Sequence, residues 1–180
     1  MRDPRRRGGA GIGHLIDRRT FLLGSAAAAL APRLAARAAA PSDLDRALES
    51  SGLVYVSPLL ADGRESRCHA EVWFAWLDGA VVIVTARDRW KALAVARGFD
   101  RARLWVGDRG TWKRVLGHSD EFRAAPSFEA RAGITQDAAL LLRVLASFER
   151  KYPQEIGRWR ERMRTGVADG SRVLIRYTRV

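Results

Sequence analysis

The sequence predicts a mainly β protein of the α+β class, with about six antiparallel strands in a small barrel and peripheral helices. Short runs of β-branched and aromatic residues recur between residues 53 and 116 and again at 171–178. Two of these runs are separated by only two residues, Asp78-Gly79, which is a hairpin spacing. Helical periodicity is strongest at 137–152, so a helix precedes the last strand.

The clearest local signal is a hairpin predicted over residues 67–85. The segments 72–77 and 80–85 are almost continuously apolar, and Asp78-Gly79 supplies the positive φ angles of a type I′ turn. Because neither segment alternates with polar residues, we expect both faces of these strands to be covered. Upstream, residues 53–57 form another predicted strand, which Pro58 ends.

The other elements are predicted from capping residues, periodicity and turn residues. Helices are predicted over 43–50 after a Ser42–Asp45 capping box, over 89–97 between an Asp88 N-cap and Gly98, over 137–152, and from Pro153 to about Arg164. The remaining segments are a strand at 103–106, a second hairpin turning at 107–110 into a strand at 111–116, a mixed segment at 118–135 with a short helix, and a closing strand at 171–178.

Residues 1–40 resemble a twin-arginine export signal. Arg18 and Arg19 precede a weakly apolar run at 21–31, and three alanines stand before Pro41. The resemblance implies export of the folded domain, residues 41–180, through the Tat translocase to the periplasm or the outside of the cell. The apolar run is shorter than the roughly 20 residues that span a bilayer, so no permanent membrane anchor is expected. The alternative is an alanine-rich amphipathic helix with incidental arginines.

Charge and composition limit the kinds of partner and site that this chain can have. Half of the formal net charge of +12 lies in residues 1–40, and the other half is spread along 41–180. No clustered basic patch or known nucleic-acid module is recognisable, so nucleic acid is not an expected partner, whereas a basic pocket for an anionic small ligand fits the charge. A single cysteine, Cys68, excludes an intramolecular disulfide and is expected to be buried in a strand. Three scattered histidines give no metal-ligand spacing.

The segment from Thr85 to Lys91 is the candidate binding site. It follows a buried strand and opens a helix, where unpaired backbone N–H groups and the helix dipole favour an anion. Arg87, Arg89 and Lys91 add three cations, and Thr85 adds a hydroxyl. A phosphate group would be held there by the forked guanidinium of an arginine and the point charge of the lysine. The alternative is an ordinary capped helix with solvated basic residues.

The order of these pieces resembles the FMN-binding split-barrel family that includes the pyridoxamine 5'-phosphate oxidases. In that family an apolar strand, a turn and a second strand ending in Thr lead to a short helix with a Ser-Arg-Lys triplet. The matching segments here are 72–77, 78–79, 81–85, 89–91 and 103–106. By position, Thr85 and Lys91 match residues that contact the flavin phosphate, while Arg89 and Trp90 depart from the triplet, so that Arg87 or Arg89 would substitute. The substrate-binding residues of the pyridoxamine enzymes have no match.

The resemblance implies a split barrel that binds a flavin, FMN or a deazaflavin, and transfers a hydride. It also implies a homodimer with the cofactor at the interface. Two alternatives stay open, namely a non-catalytic module that carries flavin or haem and an interaction domain without a cofactor. The six tryptophans either stack on the flavin ring or pack in the core and the interface; Trp73 and Trp76 are expected on opposite sides of their strand.

Overall fold

A computed structural model describes residues 42–110, 113–114 and 117–180, without the side chains of 113, 114, 117 and 118. The helices are α1 (Asp43–Ser50), α2 (Trp90–Ala96), α3 (Ala138–Lys151) and α4 (Gly157–Ala168), with a 3₁₀ turn at Glu121–Ala124. The strands are β1 (Leu53–Pro58), β2 (Ala70–Trp73), β3 (Ala75–Leu77), β4 (Ala80–Ala86), β5 (Arg101–Val106), β6 (Lys113–Arg114), β7 (Gly117–His118), β8 (Ser127–Thr135) and β9 (Arg172–Arg179).

Seven of the described strands form one antiparallel sheet that is nearly closed into a barrel. The strand order is β2-β1-β5-β8-β9-β4-β3, and β6 and β7 pair separately. The two edge strands, β2 and β3, are consecutive in the chain and are joined by one residue, Phe74. The backbone at Phe74 therefore passes directly from one sheet edge to the other. Its N–H donates to the Tyr152 hydroxyl at 3.2 Å, which compensates for the missing ladder partner there.

Alternate residues of β4 face two different hydrophobic layers. Val81 and Ile83 belong to the barrel interior, while Val82 packs in an outer cluster with α3 and α4. Both faces of this strand are therefore buried, which confirms the prediction from its continuous apolarity. Trp76 packs against the interior cluster and Trp73 against the outer one, so these two side chains face opposite sides as expected.

Local capping and turn signals are confirmed. Ser42 and Asp45 form the capping box of α1, and Asp137 caps α3 by accepting from two backbone N–H groups. Asp78 and Gly79 have φ angles of +50° and +69°, the left-handed geometry that a type I′ turn needs. The hairpin is shorter than predicted, however, because only β3 pairs with β4, and β2 pairs with β1 instead.

The second predicted hairpin is wrong. β5 pairs with β1 on one edge and with β8 on the other, and Lys113–Arg114 pair with Gly117–His118. The sequence interpretation also missed β8, which lies in the middle of the sheet. Its inward positions include Ala130 and Ala132, whose small side chains give a weak alternating signal.

Three smaller predictions are also corrected. The N-cap of α2 is Arg89 rather than Asp88, and no side chain caps this helix. Cys68 is exposed and lies before β2, not buried in a strand. The helix expected from Pro153 begins only at Gly157, as α4.

Two further predictions concern a membrane anchor and export. Within the described residues no helix is long and apolar enough to cross a membrane. The predicted signal over residues 1–40 lies outside the residues that the structure describes.

Candidate functional site

A cavity of about 700 Å³ lies where the end of β4 meets α4 and the start of β9. We call it the cationic cavity. Its lining residues are Ala86, Arg87, Asp88, Leu93, Arg162, Thr165, Gly166, Asp169, Ser171 and Arg172. The cavity thus receives one arginine each from the turn after β4, from α4 and from β9, and its lining also includes two aspartates.

Backbone contacts fix the arginines of this cavity. The Arg87 N–H donates to the Ser171 carbonyl at 2.9 Å, and its Nε donates to the Gly170 carbonyl at 2.7 Å. Arg172 pairs with Ala86 across the β4–β9 ladder. Its side chain lies against Gly166 of α4, where an added Cβ would come within 2.7 Å of the Arg172 Cδ. The close approach of α4 to Arg172 therefore requires glycine at position 166.

The electrostatics of the cavity favour an anion. Burial, followed by the cations Arg162 and Arg89, lowers the pKa of Arg172, and Asp88 opposes this effect. The carboxylate of Asp169 accepts a hydrogen bond from the Ser171 N–H at 2.8 Å. This contact offsets part of the negative charge that Asp169 brings to the cavity. Arginine stays protonated in proteins, so the guanidinium groups remain charged and repel one another. An anion bound between them would relieve this repulsion.

A second cavity, of about 360 Å³, shares Arg172 with the first. We call it the aromatic cavity. It is lined by Leu53, Glu71, Val72, Trp73, Val84, Phe148, Trp159, Met163 and Arg172. The Trp73 ring stacks on Tyr152 with centroids 4.3 Å apart and meets the edge of Phe148 at 6.0 Å, which fixes its orientation. A charged end and a rigid aromatic wall are therefore neighbours.

The residues that the sequence predicts for the binding site do not all line the same cavity. Arg87 lines the cationic cavity, and Arg89 adds to its positive potential. Thr85 is buried and pairs with Val173, a residue of the barrel interior, so its hydroxyl faces inward. Trp90 lines a third cavity, together with exposed Leu60 and Phe99.

Lys91 lines neither the cationic nor the aromatic cavity. Its Nζ lies 5.4 Å from the centre of the Trp90 ring. Burial and the charge of Arg89 lower its pKa. The structure therefore does not bring Lys91 together with Arg87.

Sequence reasoning missed Arg162 and Arg172. The residues 158, 160, 162 and 164 are all arginine, but this run alone does not tell which one faces the barrel. Arg160 and Arg164 form ion pairs with Glu149 and Glu161, and only Arg162 lines the cationic cavity. Arg172 can be identified as the partner of Ala86 only once the pairing of β4 with β9 is known.

His69 lies in a separate polar cluster. Its Nδ1 is 2.7 Å from the Ser57 Oγ, and its ring lies against Phe122 with centroids 5.4 Å apart. At least one ring nitrogen of His69 therefore already has a partner in the protein. Among the residues that the structure describes, no group of three or more His, Cys, Asp or Glu could hold a metal ion.

Comparison with known proteins finds similarity at the level of the fold. No family model and no curated protein matches the chain. The conserved hypothetical protein Rv2991 from Mycobacterium tuberculosis is 21% identical, with a TM-score of 0.51 over 77% of this chain and 80% of that chain. ChuZ from Campylobacter jejuni is 12% identical, with a TM-score of 0.50 over 76% and 51%. HutZ, a haem storage protein from Vibrio cholerae, is 11% identical, with a TM-score of 0.48 over 77% and 88%. The likeness to Rv2991 and the nearly closed antiparallel sheet show that the chain folds as an α+β split barrel.

Proposed function

We propose that this chain is a flavin-binding protein of the pyridoxamine 5'-phosphate oxidase-like kind and works as a hydride-transfer oxidoreductase. The observation that carries the proposal is the cationic cavity beside the aromatic cavity, with Arg172 lining both. FMN and the deazaflavins combine a phosphate with a planar aromatic ring system. The two cavities offer a separate chemical environment for each of these parts.

The phosphate would bind among Arg87, Arg162 and Arg172. A guanidinium presents paired N–H donors that match phosphate oxygens, and charge-assisted hydrogen bonds of this type are strong. The Arg87 side chain is already held by the Gly170 carbonyl, so little conformational freedom is lost when it binds an anion. A cavity of about 700 Å³ is within the range of small-molecule sites.

The ring would lie against the aromatic cavity. Trp73 is held in place by Tyr152 and Phe148, and a rigid indole face favours offset stacking on another aromatic system. Trp159 and Met163 add apolar surface from α4. Bound flavin would supply the hydride chemistry, and the chain would bind it, orient it and keep water from its ring.

His69 lies outside the proposed flavin site. Haem iron is commonly held by a histidine. His69 is the one histidine whose side chain falls in the described part of the chain, and it lines neither cavity. Its Nδ1 is engaged with Ser57.

The test is a titration of the purified domain with FMN and with a deazaflavin. Changing Arg172 to Gln should weaken binding about ten- to a hundredfold, since a charge-assisted contact contributes about 1.5–3 kcal/mol. Arg97→Gln is the matched control, because Arg97 is exposed and does not line the cationic cavity. Lys91→Ala should weaken binding less than Arg172→Gln, because Lys91 lies outside both cavities.

Several outcomes would contradict the proposal. If the wild-type protein binds neither cofactor while its circular dichroism shows a folded domain, the flavin assignment is wrong. A Soret band after addition of haem would then support haem binding, and the absence of any cofactor band would support an interaction domain. Equal flavin affinities for wild type and Arg172→Gln would place the phosphate elsewhere.

We also propose that the folded protein is exported by the Tat pathway and acts as a homodimer. The support for export is the Arg18-Arg19 pair followed by a weakly apolar run and Ala38–Ala40. The support for the homodimer is the resemblance to flavin-binding split barrels, which place the cofactor at the subunit interface. Loading of the cofactor before export would agree with a pathway that carries folded proteins.

A further inference from the structure

A further cavity, of about 580 Å³, shares no lining residue with the cationic or the aromatic cavity. We call it the lysine cavity. It is lined by Leu48, Glu49, Ser50, Gly52, Trp76, Asp108, Ser147, Arg150 and Lys151. It lies between the end of α1, the end of α3 and the loop after β5. The chemistry of this cavity is therefore independent of the proposed flavin site.

Lys151, the last residue of α3, places its amine against an apolar surface. Its Nζ lies 3.6 Å from the centre of the Phe74 ring, and Phe74 is fully buried. The Nζ also donates to the Ser51 carbonyl at 2.9 Å. One partner is thus a neutral carbonyl and the other is an aromatic face, and neither is a carboxylate in direct contact.

Burial is the main influence on this amine. It lowers the pKa of Lys151 to about 8, and the carboxylates of Asp108 and Glu49 oppose it from the facing loop and from α1. Asp108 accepts from the Gly52 N–H at 3.0 Å, which holds its carboxylate in place. Arg150 contributes a further cation from the same helix as Lys151. At pH 7.5 about a quarter of such amines are neutral, compared with about one in a thousand for an ordinary lysine.

We propose that Lys151 is a reactive amine that forms an imine with small aldehydes or ketones entering the lysine cavity. The Nζ lone pair attacks the carbonyl carbon, and a proton moves from nitrogen to oxygen to give a carbinolamine. Loss of water then forms the C=N bond. The step needs no oxidant or reductant, and an arginine in this place could not perform it because it keeps its proton.

The experiment treats the full chain with propanal and cyanoborohydride, which reduces the imine to a stable secondary amine. The chain has three lysines, Lys91, Lys113 and Lys151, so peptide mass mapping assigns each label. At pH 7.5 we expect Lys151 of the folded protein to be labelled at least about tenfold faster than Lys151 of the chain unfolded in guanidinium chloride. It should also be labelled ahead of Lys91 and Lys113.

Lys151→Arg is the matched variant, because it keeps a cation beside Phe74 but has no nucleophilic amine. It should remain folded and lose only the label at position 151. The ratio of the Lys151 labelling rate in the folded protein to that in the unfolded chain should fall as pH rises from 7.5 to 10, because the ordinary lysine then loses its proton as well. The proposal is overturned if Lys151 of the folded protein reacts no faster at pH 7.5 than Lys151 of the unfolded chain, or if this ratio is the same at pH 7.5 and pH 10.

Discussion

At the scale of single residues, the candidate site depends on a glycine as much as on its arginines. Gly166 has no side chain, and Arg172 occupies the space that a Cβ would need. Arg172 lines both cavities, and its side chain lies in the gap that Gly166 leaves in α4. A glycine inside a helix costs about 0.5–1 kcal/mol relative to alanine, so this helix is less stable than it would be with alanine there.

Changing Gly166 to Ala should therefore weaken flavin binding by about tenfold without removing any charge. The new methyl group would displace the Arg172 side chain, whose Cγ lies 2.8 Å from the added Cβ position. Gly157→Ala is the control, since it lies in the same helix and has nothing within 4 Å of its added Cβ. Titration with FMN measures the effect, and equal affinities for the two variants would argue against the role of Gly166.

Lys151 gives a second prediction, on the pH dependence of stability. Its folded-state pKa of about 8 lies below the ordinary 10.5, so the folded protein loses this proton first and becomes more stable as pH rises between these values. From pH 8 to 9.5 the free energy of unfolding of the wild type should rise by about 1–2 kcal/mol relative to Lys151→Met. Denaturant unfolding at each pH measures this difference, and a constant difference would contradict the lowered pKa.

At the scale of elements, the Asp78-Gly79 turn joins β3 to β4 and anchors a helix. The Asp78 carboxylate forms two hydrogen bonds with Arg143 of α3, at 2.7 and 2.8 Å. The turn thus connects a three-residue edge strand to β4 and contacts the outer helix through this ion pair. A single ion pair at this exposure contributes little, so the backbone geometry is the larger effect.

Gly79→Ala should lower the free energy of unfolding by about 1–2 kcal/mol, because alanine at a φ of +69° is strained. Gly79→Asn should lose less, since asparagine tolerates the left-handed region better. Gly133→Ala in β8 is the control, because Gly133 has no positive φ and open space at its Cβ. Urea unfolding measures all three, and equal values for Gly79→Ala and Gly133→Ala would contradict the turn assignment.

The elements that were predictable from sequence are those with local chemical signals. The capping box of α1, the Asp-Gly turn and the amphipathic α3 all depend on residues within a few positions of one another. β8 was missed because its inward alanines give little contrast with their neighbours. The register of β4 with β9, which brings Arg172 beside Ala86, is a long-range pairing that no local pattern encodes. For the same reason, the sequence identified Arg87 but neither Arg162 nor Arg172.

At the scale of the whole molecule, a filled barrel interior moves ligand binding to the outside. The interior cluster is made of buried apolar side chains from five strands, two helices and Phe74, among them Val54, Leu104 and Ile175. A barrel of this size has room for side chains but not for a cofactor. The cationic and aromatic cavities accordingly lie where α4 covers the outer face of β4 and β9.

Export belongs to the same scale, because a Tat substrate must be folded before it crosses the membrane. We expect the double change Arg18→Lys and Arg19→Lys to leave the precursor in the cytoplasm, since the translocase recognises the arginine pair although lysine keeps the charge. The double change Arg33→Lys and Arg37→Lys is the matched control, because it alters the same number of arginines within residues 1–40. Cell fractionation followed by immunoblotting measures the outcome. Export of the Arg18/Arg19 variant at the wild-type rate would show that the pair is not a signal, and the amphipathic-helix alternative would then apply.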